Sequence, residues 1–191
     1  MEHSQHSASR STKKPQGWLK VPYVLIFLGF ALFSFGAANY YFARILSFSK
    51  VPEAVVKSTG NLDIPVEIII PSIQIDLKVE TGQIKSGVWL TSDSAATFLN
   101  TSAVPGGGGN TVIYGHNKKM IFGNLPYLSL GQKIIVKTQS GKIYTYEVYQ
   151  KDFVGPERVD LVSPTSAEEL TIYTCWGLFD SQRVVIKARP T

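Results

Sequence analysis

The chain has 191 residues, of which 44% are apolar and 17% are charged, so it can form one folded domain together with an additional segment. This composition excludes an intrinsically disordered protein. The net charge of +5 is concentrated in residues 1–20, which hold four basic residues and one acidic residue. Because no cluster of Lys and Arg follows, the sequence predicts no nucleic-acid partner.

Residues 21–43 carry no charged side chain and would span about 34 Å as a helix, enough to cross a bilayer. Trp18, just before this segment, and the Tyr40-Tyr41 pair, near its end, occupy positions typical of interfacial aromatic residues. The preceding basic residues favour a cytoplasmic N-terminus, and therefore a single-pass protein of the plasma membrane with an extracellular domain. The predicted organisation is a cytoplasmic tail at 1–20, a transmembrane anchor in the lipid bilayer at 21–43, a linker at 44–62 and an extracytoplasmic catalytic domain at 63–191.

A cleaved signal peptide is the alternative interpretation of the same segment. Its apolar core would be residues 21–35, and residues 36–38 (Gly-Ala-Ala) would be a weak cleavage site. Apolar residues continue to Ala43, which favours an uncleaved anchor. Both interpretations export the domain that follows.

After residue 63 the pattern is that of β-strands, rich in Ile, Val and Tyr and separated by Gly, Pro and Ser. The predicted strands are 67–70, 73–79, 111–114, 133–138, 142–150, 170–175 and 183–188. Short helical turns are expected at 94–99, 122–128 and 166–170. The sequence therefore predicts an all-β domain, a single closed barrel of about eight strands with short helical turns, preceded by one transmembrane helix.

The last two predicted strands bring together a thiol and a guanidinium group. Seven residues separate Cys175, the only cysteine of the chain, from Arg183. If these residues form a hairpin loop, Cys175 and Arg183 are cross-strand neighbours. Alternation places Leu170 and Ile172 in the core, so Cys175 and Arg183 share the opposite face.

His116 is the only histidine after residue 6, and it directly follows a predicted strand. An imidazolium or guanidinium group near a cysteine favours the nucleophilic thiolate. The spacing alone also fits a buried apolar cysteine, a hydrogen-bonded structural histidine and a solvated arginine. With one cysteine and one exported histidine, the sequence predicts no metal site and no cofactor.

These residues resemble the motifs of the sortase family. Sortases carry Thr-Leu-x-Thr-Cys at the end of a strand, matched here by residues 171–175, and an arginine on the next strand, matched by Arg183. Their histidine ends a Pro-Gly-x-x-Gly-Asn-x-x-x-x-Gly-His segment, which matches residues 105–116. Residues 70–76 are similar to the family's first strands. The resemblance covers about residues 63–189 and departs from the pattern at Ile172, where leucine is usual.

The resemblance implies a sortase barrel and a cysteine transpeptidase with Cys175, His116 and Arg183 as catalytic residues. Cys175 would attack the Thr–Gly bond of an LPxTG-like C-terminal sorting signal, Arg183 would stabilise the oxyanion, and His116 would transfer protons. Its partners would be surface proteins bearing that signal and an amine acceptor of the cell wall, such as a peptidoglycan precursor. By analogy, residues 153–162 would wall the sorting-signal groove. The substrate-binding residues expected are Thr174, Phe153, Val154 and Pro156.

Two rival functions remain open at the level of the sequence. A hydrolytic cysteine peptidase with the same three residues would resolve the acyl-enzyme with water. An inactive surface β-domain would only bind a ligand or partner. The linker contains no Asp-Pro-aromatic lid of the kind found in pilus-building sortases, so the chain is more similar to a housekeeping or small specialised sortase.

Overall fold

A computed structural model of the protein describes residues 21–43, 63–85 and 88–191. The predicted tail at 1–20 and the predicted linker at 44–62 lie outside the described residues. The chain divides into two compact units, one containing the N-terminal helix and the other containing the β-structure.

Helix α1 spans Val21–Ala43, the same 23 residues for which the sequence predicts an anchor. Its large apolar side chains are between 53% and 74% exposed. A helix that is apolar on all sides matches the composition of a membrane span. Among the residues described, it is the one helix long and apolar enough to cross a bilayer, through Pro22–Asn39.

The second unit consists of strands joined by short turns. In chain order the strands are β1 (Pro65–Ile70), β2 (Ile75–Gly82), β3 (Ile84–Lys85), β4 (Val88–Trp89), β5 (Ala96–Leu99), β6 (Asn110–Gly115), β7 (Lys133–Thr138), β8 (Ile143–Val154), β9 (Glu169–Trp176) and β10 (Gln182–Pro190). Eight of them close a barrel in the order β1-β2-β5-β6-β9-β10-β8-β7, and β3 pairs with β4 in a separate two-stranded sheet. The predicted fold, a closed barrel of about eight strands preceded by an apolar helix, is confirmed.

Most neighbouring strands of the barrel are antiparallel, but β2 pairs with β5 and β6 pairs with β9 in parallel. The β6–β9 pairing aligns Gly115 with Thr174. His116 directly follows Gly115, and Cys175 directly follows Thr174, so both residues lie at the same end of the barrel. Two neighbouring parallel strands cannot be joined by a tight turn, so the β6–β9 pairing joins segments that lie far apart in the sequence.

Two of the predicted helical turns are wrong. Residues 94–99 contain strand β5, whose four residues are all buried, and residues 166–170 contain the start of β9 at Glu169. A strand buried on both faces lacks the alternation that identifies strands in a sequence. The turn predicted at 122–128 is confirmed by a 3₁₀ turn at Leu125–Tyr127. Further 3₁₀ turns lie at Pro71–Ile73, Val159–Val162 and Leu178–Asp180.

Apolar side chains form two separate clusters, one inside the barrel and one on its outer surface. The interior cluster includes Leu170, Ile172, Val184 and Ile186 from the last two strands, as the alternation predicts. The second, which we call the outer cluster, contains Trp89, Leu99, Val112, Tyr114, Val162, Tyr173, Cys175 and Val185. Segments 88–99 and 154–162 therefore cover the face that carries the cysteine, and that face is buried.

A polar group lies on this outer face at the start of β9. Lys187 Nζ is 2.6 Å from Glu169 Oε1, and both side chains are about nine-tenths buried. The hydroxyl of Tyr149 also donates to the Glu169 carboxylate. Thr171 Oγ1 donates to Asn110 Oδ1 over 2.7 Å. Because each buried charge has a partner, this group can be accommodated away from water.

Candidate active site

Cys175 and Arg183 are cross-strand neighbours in the antiparallel pair β9–β10. The loop between them includes the 3₁₀ turn Leu178–Asp180. Val184, the residue after Arg183, belongs to the interior cluster, while Cys175 belongs to the outer cluster. The register and the shared outer face predicted from the alternation are therefore confirmed.

The Arg183 side chain is buried, with 4% of its surface exposed. Its Nη1 atom donates to Asp180 O over 2.6 Å and to Gln182 O over 2.8 Å. Its Nε atom is also buried and, among the residues that the structure describes, has no hydrogen-bond partner. Arg183 thus holds the loop through one nitrogen and leaves donor capacity on the rest of the guanidinium group.

The loop that Arg183 holds has an unusual backbone. Phe179 and Asp180 both have positive φ angles, 54° and 57°, and Gly177 has a φ of 83°. The left-handed region disfavours a residue with a large side chain such as phenylalanine. The two hydrogen bonds from Arg183 to Asp180 and Gln182 compensate part of this cost, so the loop conformation depends on the arginine.

Cys175 is 3% exposed, and burial raises the pKa of its thiol to about 11. The nearby Arg183 charge lowers this pKa and the Asp180 carboxylate raises it, but burial has the larger effect. A thiol in apolar surroundings loses the hydration that stabilises a thiolate. The resting nucleophile is therefore the neutral thiol, despite the neighbouring guanidinium.

His116 directly follows β6, as predicted, and its side chain is 26% exposed. Its Nε2 atom lies 2.8 Å from Thr91 Oγ1 and 3.9 Å from Asp93 Oδ1. Asp93 in turn is 2.5 Å from Lys118 Nζ. Lys118 is the larger cause, and His116 a smaller one, of the lowered pKa of the Asp93 carboxyl. The imidazole thus has a hydroxyl and a carboxylate on the same side of the ring.

A pocket of about 260 Å³ brings the cysteine and the histidine together. Its lining residues are Asp93, His116, Asn117, Lys118, Cys175 and Asp180. Arg183 lies behind this lining, on the strand next to Cys175. A nucleophile, an acid–base group and polar side chains therefore surround one cavity large enough for a short peptide segment.

Thr91, Asp93, Lys118 and Asp180 are site residues that sequence reasoning missed. Thr91 and Asp93 precede β5 in a Ser-rich and Thr-rich segment that resembles an ordinary turn. Their approach to His116 depends on the parallel pairing of β2 with β5, which leaves no local signal. Asp180 could have been suspected, since it lies within the loop between Cys175 and Arg183.

The predicted substrate-binding residues occupy different environments. Val154 pairs with Arg183 and packs against the outer cluster, on the face of the cysteine. Phe153 pairs with Val184, and its ring contacts Trp176 at a centroid distance of 6.5 Å. Thr174 is wholly buried and donates from Oγ1 to Gly115 O over 2.9 Å, which braces β9 against β6. Pro156 is exposed.

Within residues 21–43, 63–85 and 88–191, no group of three or more His, Cys, Asp or Glu side chains could hold a metal ion. The side chains that line the pocket offer a thiol, an imidazole, two carboxylates, an amide and an amine.

A comparison with protein-family models matches residues 68–191 to the sortase domain. The chain belongs to the sortase family. The match includes every strand of the barrel except part of β1, and it contains Cys175, His116 and Arg183. The resemblance seen in the sequence motifs is thereby confirmed.

Named relatives agree with this assignment. The sortase chain is 28% identical over 160 residues to Sortase A of Streptococcus agalactiae serotype III (strain NEM316), covering 78% of this chain and 62% of the relative. It is 35% identical over 85 residues to the putative sortase YwpE of Bacillus subtilis (strain 168), covering 42% of this chain and 82% of the relative. The chain thus spans less than two thirds of the streptococcal protein.

Solved structures show the same fold. Sortase A from Corynebacterium diphtheriae is similar with a TM-score of 0.57 and 26% identity, over 70% of this chain and 63% of that one. The pilus-related sortase C of Group B Streptococcus gives a TM-score of 0.58 over 73% of this chain and 78% of that one. At 20% identity, this second similarity shows only that the fold is shared.

Proposed function

We propose that this sortase is a cysteine transpeptidase that cleaves a C-terminal sorting signal and transfers the surface protein to an amine acceptor. One observation carries the proposal. Cys175 and His116 line a single pocket of a sortase domain, and Arg183 is the cross-strand neighbour of Cys175. A nucleophile, an acid–base group and a cation in this arrangement suit acyl transfer.

The first half-reaction forms a thioester. His116 first takes the proton of the Cys175 thiol, the thiolate that results attacks the threonine carbonyl of an LPxTG-like signal, and the carbonyl oxygen becomes an oxyanion. When the intermediate collapses, the C–N bond to glycine breaks and the His116 imidazolium gives its proton to the departing amine. The products are a thioacyl-enzyme with neutral His116 and a free C-terminal fragment.

The second half-reaction reverses the roles. The acceptor amine attacks the thioester, loses a proton to His116, and expels Cys175 as a thiolate. The new amide joins the surface protein to the acceptor, and the proton passes from His116 back to the thiolate, so that both side chains return to the state in which they began. A peptidoglycan precursor with a free amine is the acceptor that the family implies.

We assign Arg183 the stabilisation of the oxyanion. The guanidinium is buried beside the thiol, where a charge interacts more strongly with a developing anion than it would in water. Nη1 is occupied by loop carbonyls and Nε is buried, so we assign the contact with the oxyanion to Nη2. One side chain then both shapes the loop and binds the transition state.

We place the sorting signal over the outer cluster. Val154, Val159, Leu161 and Val162 provide apolar contacts next to the cysteine strand, and the exposed Pro156 lies in the same segment. The predicted substrate-binding role of Phe153, which is exposed, is part of this proposal, whereas Thr174 is wholly buried and would act only through the position of β9. Apolar walls with a few polar groups are typical of peptide-binding clefts.

The activity test uses the full chain in detergent micelles with an LPxTG-containing peptide and a short peptide that offers a free amine. A thioacyl adduct on Cys175, followed by a ligated product, is the expected result in mass spectrometry. Cys175→Ala should abolish the adduct. Cleavage without ligation at saturating amine would favour the hydrolytic peptidase, and failure of the thiol to react with any sorting-signal peptide would favour an inactive binding domain.

We further propose that α1 is an uncleaved membrane anchor with residues 1–20 in the cytoplasm. Its length, its uncharged sequence and the basic residues before it support this topology. A Ser4→Cys variant in a Cys175→Ala background should react with an impermeant maleimide only after the cells are permeabilised. A mature form that begins near Asn39 in the soluble fraction would contradict the anchor.

A further inference from the structure

A hydroxyl group outside the predicted triad touches the histidine. Thr91 Oγ1 lies 2.8 Å from His116 Nε2, although the two residues are 25 positions apart in the sequence. Thr91 is half-buried, and it also lines a second, open pocket on the other side of its segment. Thr91 does not line the pocket that His116 shares with Cys175, so we place its hydroxyl outside the space that a substrate would fill.

The backbone on both sides of Thr91 is anchored to the barrel. The carbonyl of Leu90 accepts a hydrogen bond from the Tyr114 hydroxyl over 2.6 Å, and the Leu90 amide donates to Gln83 O over 3.0 Å. On the other side, the Ser92 amide donates to Thr97 Oγ1 over 3.2 Å. Thr91 is thus held by groups on or adjoining β2, β5 and β6, and its position is fixed before substrate arrives.

Strand β6 positions both partners of the contact: it holds the Thr91 segment through Tyr114, and His116 directly follows it. Tyr114, which holds Leu90, is two residues before His116 on the same chain segment. Its ring packs edge-on against Trp89 at a centroid distance of 4.5 Å, which fixes the segment that leads to Thr91. The distance between the Thr91 hydroxyl and the His116 ring therefore depends on a single strand, β6.

The chemistry of a hydroxyl suits a histidine that changes its charge. It can donate to an unprotonated Nε2 and accept from Nε2–H, so the contact survives both protonation states. The charged and titratable groups around the same pocket are Asp93, Lys118, Cys175 and Asp180. Asp93 is farther from Nε2, and it is largely exposed and paired with Lys118, so Thr91 is the closer and better-fixed partner.

We propose that Thr91 is a positioning residue, which holds the His116 ring in the orientation needed for proton transfer through a hydrogen bond to Nε2. The proposal rests on the acyl-transfer function described above. The role belongs to the Thr91 hydroxyl, which affects the reaction only through the His116 imidazole.

The experiment compares three variants of the full chain in micelles. Thr91→Val removes the hydroxyl at nearly constant volume and should lower kcat for ligation about 10-fold, the loss expected for a hydrogen bond of ordinary strength, with KM changed less than about 2-fold. Thr91→Ser keeps the hydroxyl and should recover kcat to within about 3-fold of the original. Thr81→Val makes the same substitution at an exposed position of β2 and should leave kcat unchanged.

A second readout does not depend on activity. Ring ¹⁵N signals of His116, separated from those of His3 and His6 by substituting the latter, should shift in Thr91→Val and return in Thr91→Ser. Unchanged ring signals together with an unchanged kcat in Thr91→Val would overturn the proposal, as would equal losses in the Val and Ser variants. If the original chain transfers no acyl group, the proposed function fails, while the ring signals still report whether Thr91 positions the histidine.

Discussion

Replacing Arg183 by lysine tests two roles of the buried guanidinium, its hold on the β9–β10 loop and its proposed stabilisation of an oxyanion. Arg183 holds the β9–β10 loop with two hydrogen bonds from Nη1, at 2.6 Å to Asp180 O and 2.8 Å to Gln182 O. Lysine keeps the positive charge but lacks the planar fork, so it cannot hold the loop and also address an oxyanion. We expect a loss of both stability and activity in Arg183→Lys.

The stability loss follows from the hydrogen bonds. A hydrogen bond from a charged donor contributes about 1.5–3 kcal/mol, and the ammonium group can replace one of the two. The expected fall in the free energy of unfolding is therefore about 1.5–3 kcal/mol, or roughly 3–12 °C in Tm. A domain with a stability of about 5 kcal/mol would retain at least about 2 kcal/mol and stay about 97% folded.

The activity loss is larger than unfolding can explain. Loss of one oxyanion donor typically lowers kcat by about 10²–10³-fold, whereas the remaining folded fraction would change the rate by less than about 2-fold. Urea unfolding and ligation kinetics on the same preparation measure the two effects. Arg189→Lys, at an exposed position of the same strand, is the matched control and should alter neither. Near-normal kcat/KM in Arg183→Lys would remove Arg183 from the mechanism.

Two further predictions concern buried ionisable groups. Because burial raises the pKa of the Cys175 thiol to about 11, only about 10⁻⁴ of it is thiolate at pH 7, and alkylation by iodoacetamide should accelerate about tenfold per pH unit well beyond pH 8.5. Mass spectrometry measures the alkylation rate at each pH, and a rate that levels off near pH 8.5 would contradict the effect of burial on the thiol pKa. Lys187→Met leaves the Glu169 carboxylate buried without its cation and should cost about 3–5 kcal/mol in urea unfolding. Adding Glu169→Gln should recover part of that loss, and equal instability of the single and double variants would show that the ion pair is not the cause.

The strands and the thiol–guanidinium pair could be predicted because they rest on local rules. Alternation of apolar residues fixed which side of β9 and β10 faces the barrel interior, and a hairpin loop then made Cys175 and Arg183 neighbours, as the register shows. Strand β7 was predicted with the bounds that the structure has, because turn residues delimit it on both sides. Local patterning was therefore enough to predict that Cys175 and Arg183 are neighbours.

The rest of the candidate site depends on contacts between distant segments. Strand β5 is buried on both faces, so it shows no alternation, and its parallel pairing with β2 has no signal in either segment. The segment that carries Thr91 and Asp93 is positioned by that pairing and by the Tyr114 hydroxyl. The position of His116 beside Cys175 likewise depends on the parallel pairing of β6 with β9. The sequence singled out His116 as the only histidine after residue 6, directly after a predicted strand, and the family resemblance then supported its role.

The place of β10 in the barrel has a consequence for how the protein matures. It is the last strand of the barrel along the chain, yet it lies between β8 and β9, which do not pair with each other. Until β10 is inserted, both of those strands are open edges, and the barrel cannot close. The same insertion brings Arg183 beside Cys175, so a chain still being folded has a thiol but no completed candidate site. Insertion of β10 therefore completes the barrel and the candidate site in one step.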